Sequence, residues 1–153
     1  MNITDELTKD NIIADLQSTT KTDVINELTA HICKNHLNIN HEQASEVIME
    51  REKLCSTALD AGVAIPHGKI GGISSFAVVF GRSLKGIDFD SLDGKPTQLF
   101  ILILSPENSS GMHLKLLAKI SKILKIPETR SRLINAGSSD EIYDIIAEED
   151  AKY

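Results

Sequence analysis

The sequence predicts an α/β fold, a mixed sheet covered by helices, forming a single domain over residues 1–153. Three observations predict it. Apolar residues recur at helical spacing in the first third and again after residue 112, whereas β-branched and aromatic runs fill the middle. Two of those runs, Phe76-Ala77-Val78-Val79-Phe80 and Leu99 to Leu104, are apolar at every position, as in strands buried on both faces. Finally, 153 residues with 41% apolar and 25% charged content suffice for one core without a disulfide or a structural metal.

The elements follow in order. Residues 10–16 suit a short strand. Thr20, with Asp23 three residues on, caps a helix whose apolar members are Val24, Ile25, Leu28, Ile32 and Leu37. Asn40 with Gln43 resembles a capping box and opens a second helix, with Ala44, Val47, Ile48 and Leu54 on one side. Gly62 breaks that pattern, and Val63-Ala64-Ile65 reads as a strand halted by Pro66. After the run at 76–80, Ile87-Asp88-Phe89-Asp90 alternates like a half-exposed edge strand. Asp93-Gly94 marks a turn before the strand at 97–104, which Ser105 and Pro106 end. Leu116, Leu117, Ile120, Ile123 and Leu124 define a helix over 112–125. Pro127 restarts a short one carrying Leu133-Ile134, and Ser138 with Glu141 opens a last helix through Ala147.

Composition narrows the function. With 16 Lys+Arg against 22 Asp+Glu, the net charge of −6 lacks the basic footprint of a nucleic-acid binder. The longest apolar run is the six residues Leu99 to Leu104, against about 20 for a membrane span. The N-terminus has no signal-peptide pattern, so a cytoplasmic location and no membrane insertion are expected. Cys33 and Cys55 form neither a CxxC nor a zinc pattern, and Cys55 reads as a semi-buried inert thiol. His31, His36 and His41 are spaced five apart, whereas two ligands on one helix face need i, i+3 or i, i+4. They read as solvated, and no metal or cofactor is expected.

The most informative stretch is Arg51-Glu52-Lys53-Leu54-Cys55-Ser56-Thr57 followed by Gly62-Val63-Ala64-Ile65-Pro66-His67-Gly68-Lys69. Pro66 stiffens the approach to His67, Gly68 lets backbone amides come close to a ligand, and Lys69 adds positive charge. A histidine so placed is a nucleophile or proton carrier near pH 7, or else a turn histidine at a strand end. The stretch is not a P-loop: five residues separate Gly62 from Gly68, and Ile70 follows the lysine. His113 falls in the first turn of its helix, atop the stripe of Leu116, Leu117, Ile120 and Leu124. It reads as a histidine closing the core, or as a second ligand-facing group at an anion-attracting helix N-terminus. Arg51 and Glu52 read as a solvated helix end, and Ser56 and Thr57 lack the GxSxG context of a hydrolase nucleophile.

Together these residues resemble the enzyme IIA family of the bacterial phosphoenolpyruvate-dependent phosphotransferase system, in its fructose/mannitol/nitrogen-regulatory branch. The resemblance rests on Arg51-Glu52, Ser56-Thr57 and Gly62 to Lys69, on Phe89 to Pro96, on His113 to Ala118 and on Ser139 to Ile142. It covers about residues 10–148. Where the family has Ile-Gly-Asn-Gly before the Ala-Ile-Pro-His element, this chain has Leu59-Asp60-Ala61-Gly62.

The resemblance implies a phosphocarrier. His67 would accept a phosphoryl group from the phosphohistidine of an HPr-like protein and pass it to a cysteine of a IIB domain in a sugar transporter. In nitrogen-type members the phosphorylation state of the histidine would instead switch binding to regulatory partners. The lack of a fused IIB or membrane domain in this chain, and the His67-Gly68-Lys69 sequence, lean toward that alternative. His113 would be the second, non-phosphorylated histidine and Arg51 the site arginine. Ser56, Thr57 and the amides near Gly68 would bind the phosphoryl oxygens. No metal or nucleotide is required for such a transfer.

Overall fold

The computed structural model describes residues 2–153. The first layer is a helix pair. The Thr20 hydroxyl accepts the Asp23 amide at 3.2 Å and opens α1 (Lys21–Asn35), which buries Val24, Ile25, Leu28 and Ile32. Asn40 Oδ1 accepts the Gln43 amide at 2.9 Å and opens α2 (His41–Leu54), which buries Ala44 and Ile48.

Two expected core leucines lie outside this layer. Leu37, 92% exposed, follows the end of α1. Leu54, 83% exposed, is six residues past Ile48 and so about 240° around a helix of 3.6 residues per turn. Of the histidines expected to be solvated, His41 is exposed and His31 half-buried, and each also donates from Nε2 to a main-chain carbonyl, of Asn26 at 3.1 Å and Asp10 at 2.6 Å respectively.

The five strands are β1 (Ile12–Ile13), β2 (Val63–Ala64), β3 (His67–Ile70), β4 (Ala77–Ile87) and β5 (Thr97–Pro106). They form one mixed sheet. β1 runs parallel to β4, β4 antiparallel to β5, and both β2 and β3 parallel to β5. Val63 is opposite Leu99 and His67 opposite Ile103, four residues on in each chain, so β2 and β3 are one edge line interrupted at Ile65-Pro66. An edge is where a residue without an N–H is tolerated, and the Pro66 carbonyl still accepts the Ile103 amide at 2.9 Å. The expectation that Pro66 ends the strand is therefore corrected, since pairing resumes at His67.

Ile87 to Asp90 is not a separate edge strand. Ile87 is the last residue of β4, beyond a register shift after Arg82. The period-two pattern records burial without pairing: Ile87 and Phe89 are buried, Asp88 and Asp90 exposed, and Phe89 stacks edge-on against Phe100 at 5.4 Å. Ser105 and Pro106 continue β5 instead of ending it.

The second layer of helices is α3 (Ser110–Leu124), α4 (Pro127–Asn135) and α5 (Ser139–Asp150). Ser138 caps α5 through the Glu141 amide at 3.2 Å, while the Glu141 carboxylate takes the Gly137 amide at 2.6 Å. Side-chain alternation along β5 divides the core. Leu99, Ile101 and Ile103 pack with Leu116, Ile120, Leu133 and Ile142 of the second layer. Phe100, Leu102 and Leu104 pack with Val24, Ile25, Leu28 and Ile48 of the first. Arg82, 4% exposed, reaches through the sheet side to α4. Its Nη1 donates to the carbonyls of Leu133 at 3.0 Å, Ile134 at 3.3 Å and Ala136 at 2.6 Å. No helix among the described residues is long and apolar enough to cross a membrane.

Candidate functional site

The edge line sets where its side chains point. Ile65 packs with the α3–α5 layer, while Ala64 and Ile70 pack with α1–α2. Two residues past Ile65, His67 takes the α3 side, and Gly68 takes the α2 side. A Cβ on Gly68 would stand 2.5 Å from Val47 Cγ1, so a side chain there would collide with α2. Glycine at this position is required by helix–strand contact, and Gly68 also lines the cavity that holds His67. His67 is thus a strand residue and not a turn residue, half-buried at the sheet edge.

His113 joins it from the first turn of α3. The two rings lie 5.4 Å apart, centroid to centroid, tilted by 57°. His113 is buried, as the core reading expects, yet it also borders the cavity that holds His67. That cavity is about 480 Å³. Arg51 and Lys69 bring positive charge to it, Glu50 a carboxylate, and Val47 and Leu54 apolar walls. Arg51 Nη1 donates to the Cys55 carbonyl at 2.8 Å, and Lys69 Nζ donates to Ser110 Oγ at 2.5 Å. Leu54, Met112 and Leu114 are exposed beside these residues in the chain.

The His67 ring is held by its own strand. Nδ1 lies 2.7 Å from the Ile65 carbonyl. A carbonyl only accepts, so Nδ1 carries the proton, and in the neutral ring Nε2 keeps its lone pair. Burial pushes the His67 pKa below its ordinary value. The Ile65 bond opposes this, Arg51 reinforces it, and Glu52 opposes it. Burial also lowers the His113 pKa, followed by the charges of His67 and Lys69. Both rings therefore favour the neutral state near pH 7.

Ser56 and Thr57 do not line the cavity. The Ser56 hydroxyl donates to the Phe89 carbonyl at 2.7 Å and accepts the Ala58 amide at 3.1 Å. The Thr57 hydroxyl donates to the Glu52 carboxylate, which also accepts the Thr57 amide at 3.1 Å and pairs with Lys21 Nζ at 3.1 Å. Both hydroxyls shape the loop after α2, so their expected direct contact with phosphoryl oxygens is not met in this geometry. Glu52, expected to be solvated, is 6% exposed and ties that loop to α1. Its partners Lys21 and Thr57 lie on different elements, and no local pattern in the sequence joins them. Cys55 is exposed, not semi-buried.

In the loop Leu59 to Gly62, Ala61 and Gly62 both take left-handed conformations, φ +61° and +79°. The Ala61 amide donates to Asp93 Oδ2 at 3.1 Å. The Ser91 hydroxyl, then the amides of Lys95 and Ala61, hold the Asp93 carboxyl down at about 2.

Comparison with known proteins gives a consistent result. The family described as phosphoenolpyruvate-dependent sugar phosphotransferase system, EIIA 2, matches residues 6–149. A PTS system fructose-specific EIIABC component from Bacillus subtilis is 39% identical over 151 residues, 98% of this chain but 24% of that protein. This chain thus spans about a quarter of that relative's length. A nitrogen regulatory protein from Bradyrhizobium diazoefficiens is 36% identical over 148 residues, 96% of this chain and 95% of the relative. The crystal structure of nitrogen regulatory protein IIA-Ntr from Neisseria meningitidis superposes with a TM-score of 0.89 at 32% identity, covering 94% and 98% of the two chains. The same fold recurs in Escherichia coli enzyme IIA mannitol in complex with phosphorylated enzyme IIB mannitol, TM-score 0.78 at 23% identity, covering 94% and 98%. A family match over residues 6–149, with relatives above 30% identity that align with nearly the whole of this chain, establishes that it belongs to the EIIA 2 family of the phosphoenolpyruvate-dependent sugar phosphotransferase system.

Proposed function

We propose that the chain is a cytoplasmic phosphocarrier, one unit over residues 1–153, in which His67 Nε2 takes a phosphoryl group from the phosphohistidine of an HPr-like protein and delivers it to a IIB cysteine. One observation carries this reading: the bond from His67 Nδ1 to the Ile65 carbonyl leaves Nε2 as the only ring nitrogen with a lone pair, on a cavity bordered by Arg51 and Lys69.

The transfer balances without a separate proton step. The Nε2 lone pair forms the new N–P bond as the donor's N–P bond breaks, and that electron pair returns to the donor nitrogen. His67 keeps its Nδ1 proton, so the phosphorylated ring carries one positive charge beside the phosphoryl dianion. The Ile65 carbonyl, already at hydrogen-bond distance, stabilises that N–H more strongly as the ring gains charge. In the second step a IIB thiolate forms the S–P bond and the pair returns to Nε2. Arg51, Lys69 and His113 supply positive charge and N–H groups toward the phosphoryl oxygens. Ser56, Thr57 and Gly68 act on placement: the first two hold the loop after α2, and the third lets α2 reach His67. The exposed side chains of Leu54, Met112 and Leu114 suit docking of a small protein partner.

A second reading is favoured by the Bradyrhizobium relative, which matches along almost its whole length and is named a nitrogen regulatory protein. In it the phosphorylated and unphosphorylated forms bind a regulatory partner differently. One experiment addresses both readings. The chain is incubated with phosphoenolpyruvate, enzyme I and an HPr-type carrier. Acid-labile phosphate is expected on the wild type and absent from His67→Ala; label persisting on that variant rejects the site. The labelled and unlabelled proteins then serve as bait. Transfer of label to a IIB domain supports the carrier role, and partner capture that depends on the label supports the regulatory one.

A further inference from the structure

The hydrogen bond behind His113 is outside the proposed transfer chemistry, yet it decides what His113 can do. Ser105 sits near the end of β5, on the same side of the sheet as Ile101 and Ile103, and is fully buried. Its hydroxyl lies 2.5 Å from His113 Nδ1 and has no other hydrogen bond among the described residues.

A hydroxyl has one proton to give, and here one acceptor within reach. If Ser105 donates to Nδ1, both groups are satisfied and the neutral His113 ring carries its proton on Nε2. If Nδ1 carried the proton, it would donate to Ser105. The Ser105 O–H would then be left in the core with no acceptor, at the full desolvation cost of the group. A doubly protonated His113 would leave Ser105 in the same position. Burial and the charges of His67 and Lys69 also disfavour that cation.

We infer that Ser105 is a positioning residue that fixes the His113 proton on Nε2, making this nitrogen the ring's donor on the cavity shared with His67. The inference rests on the phosphoryl-transfer reading for its purpose, though not for its geometry. An Nε2–H group serves a phosphoryl acceptor as a neutral donor without adding a buried charge beside the nucleophile. The opposite tautomer would aim a lone pair at the phosphoryl oxygens and repel them. Ser105 thereby does for His113 what the Ile65 carbonyl does for His67, with the opposite result: one ring offers a lone pair at Nε2, the other a proton.

The test combines nitrogen-15 NMR of the imidazoles in the full chain with phosphotransfer rates from a phosphorylated HPr-type carrier. In the wild type at neutral pH, His113 is expected to show a pyridine-type Nδ1 and a pyrrole-type Nε2. Ser105→Ala should keep its melting temperature within a few degrees and lose the fixed tautomer. Its transfer should slow about twofold to tenfold, the factor one neutral hydrogen bond is worth. Ser105→Thr, which retains the hydroxyl, should restore both signals. A pyrrole-type Nδ1 on His113 in the wild type overturns the inference whatever the variants do, and so does a Ser105→Ala rate equal to wild type. If His67 is never phosphorylated, the carrier reading fails, and the wild-type nitrogen spectrum alone still decides the role of Ser105.

Discussion

At the scale of single residues, the site is defined by protons that are given fixed places. His67 and His113 have pKa values held below the ordinary 6.5, in both cases chiefly by burial. A histidine whose folded pKa is depressed takes up fewer protons in the folded than in the unfolded chain between the two values. Stability therefore rises with pH across that window. The contribution is fully present above about 6.5 and is lost as pH falls toward the folded pKa. Urea unfolding at pH 7.5 and at pH 5.5 should show a loss of stability on acidification that is smaller in His67→Ala than in the wild type. An equal loss in both would mean that the His67 ring is as free to protonate in the folded chain as in the unfolded one. The same depression keeps Nε2 available, so the phosphotransfer rate should stay flat from pH 7.5 to below 6.5 before it declines.

At the scale of elements, the contact between α2 and β3 sets how closely α2 lies against the strand that carries His67. Val47 lies so close to Gly68 that a methyl group has no room. Gly68→Ala is expected to destabilise the chain by about 1–3 kcal/mol, the usual cost of overpacking. It should also displace the end of α2 that carries Arg51. Combining it with Val47→Ala should recover most of the loss, and denaturant titrations of the two single variants and the double form a cycle that reads the coupling. Unchanged stability in Gly68→Ala would show that α2 yields easily at this point. The sequence makes the long elements legible because their signals are local: the caps at Thr20, Asn40 and Ser138 all form, and the stripes of α1 and α3 are buried. It misleads where one signal serves two structures. Alternation at 87–90 arises from Phe89 burying itself without a paired strand, and Pro66 interrupts an edge that then resumes.

At the scale of the whole molecule, the site depends on both helical layers closing on one sheet edge. Arg51 comes from the first layer, His113 from the second, and His67 from the strand between them. His67 is legible in the sequence as a chemistry-bearing residue, whereas His113, also readable as a core histidine, and Arg51, readable as a solvated helix end, gain a site role through the family resemblance. The meeting of His67 and His113 follows from the parity of the edge line against α3, which becomes visible only with the register of β3 on β5. Glu52 and Ser105 were not legible, because each takes its meaning from a partner on another element. The restraint on the His67 ring differs from theirs in kind. Its anchor is a main-chain oxygen of Ile65, present whatever amino acid occupies position 65. Side chains around the imidazole can be exchanged to suit new donors and acceptors without the ring losing its bearing, so the chemistry is insulated from changes of partner.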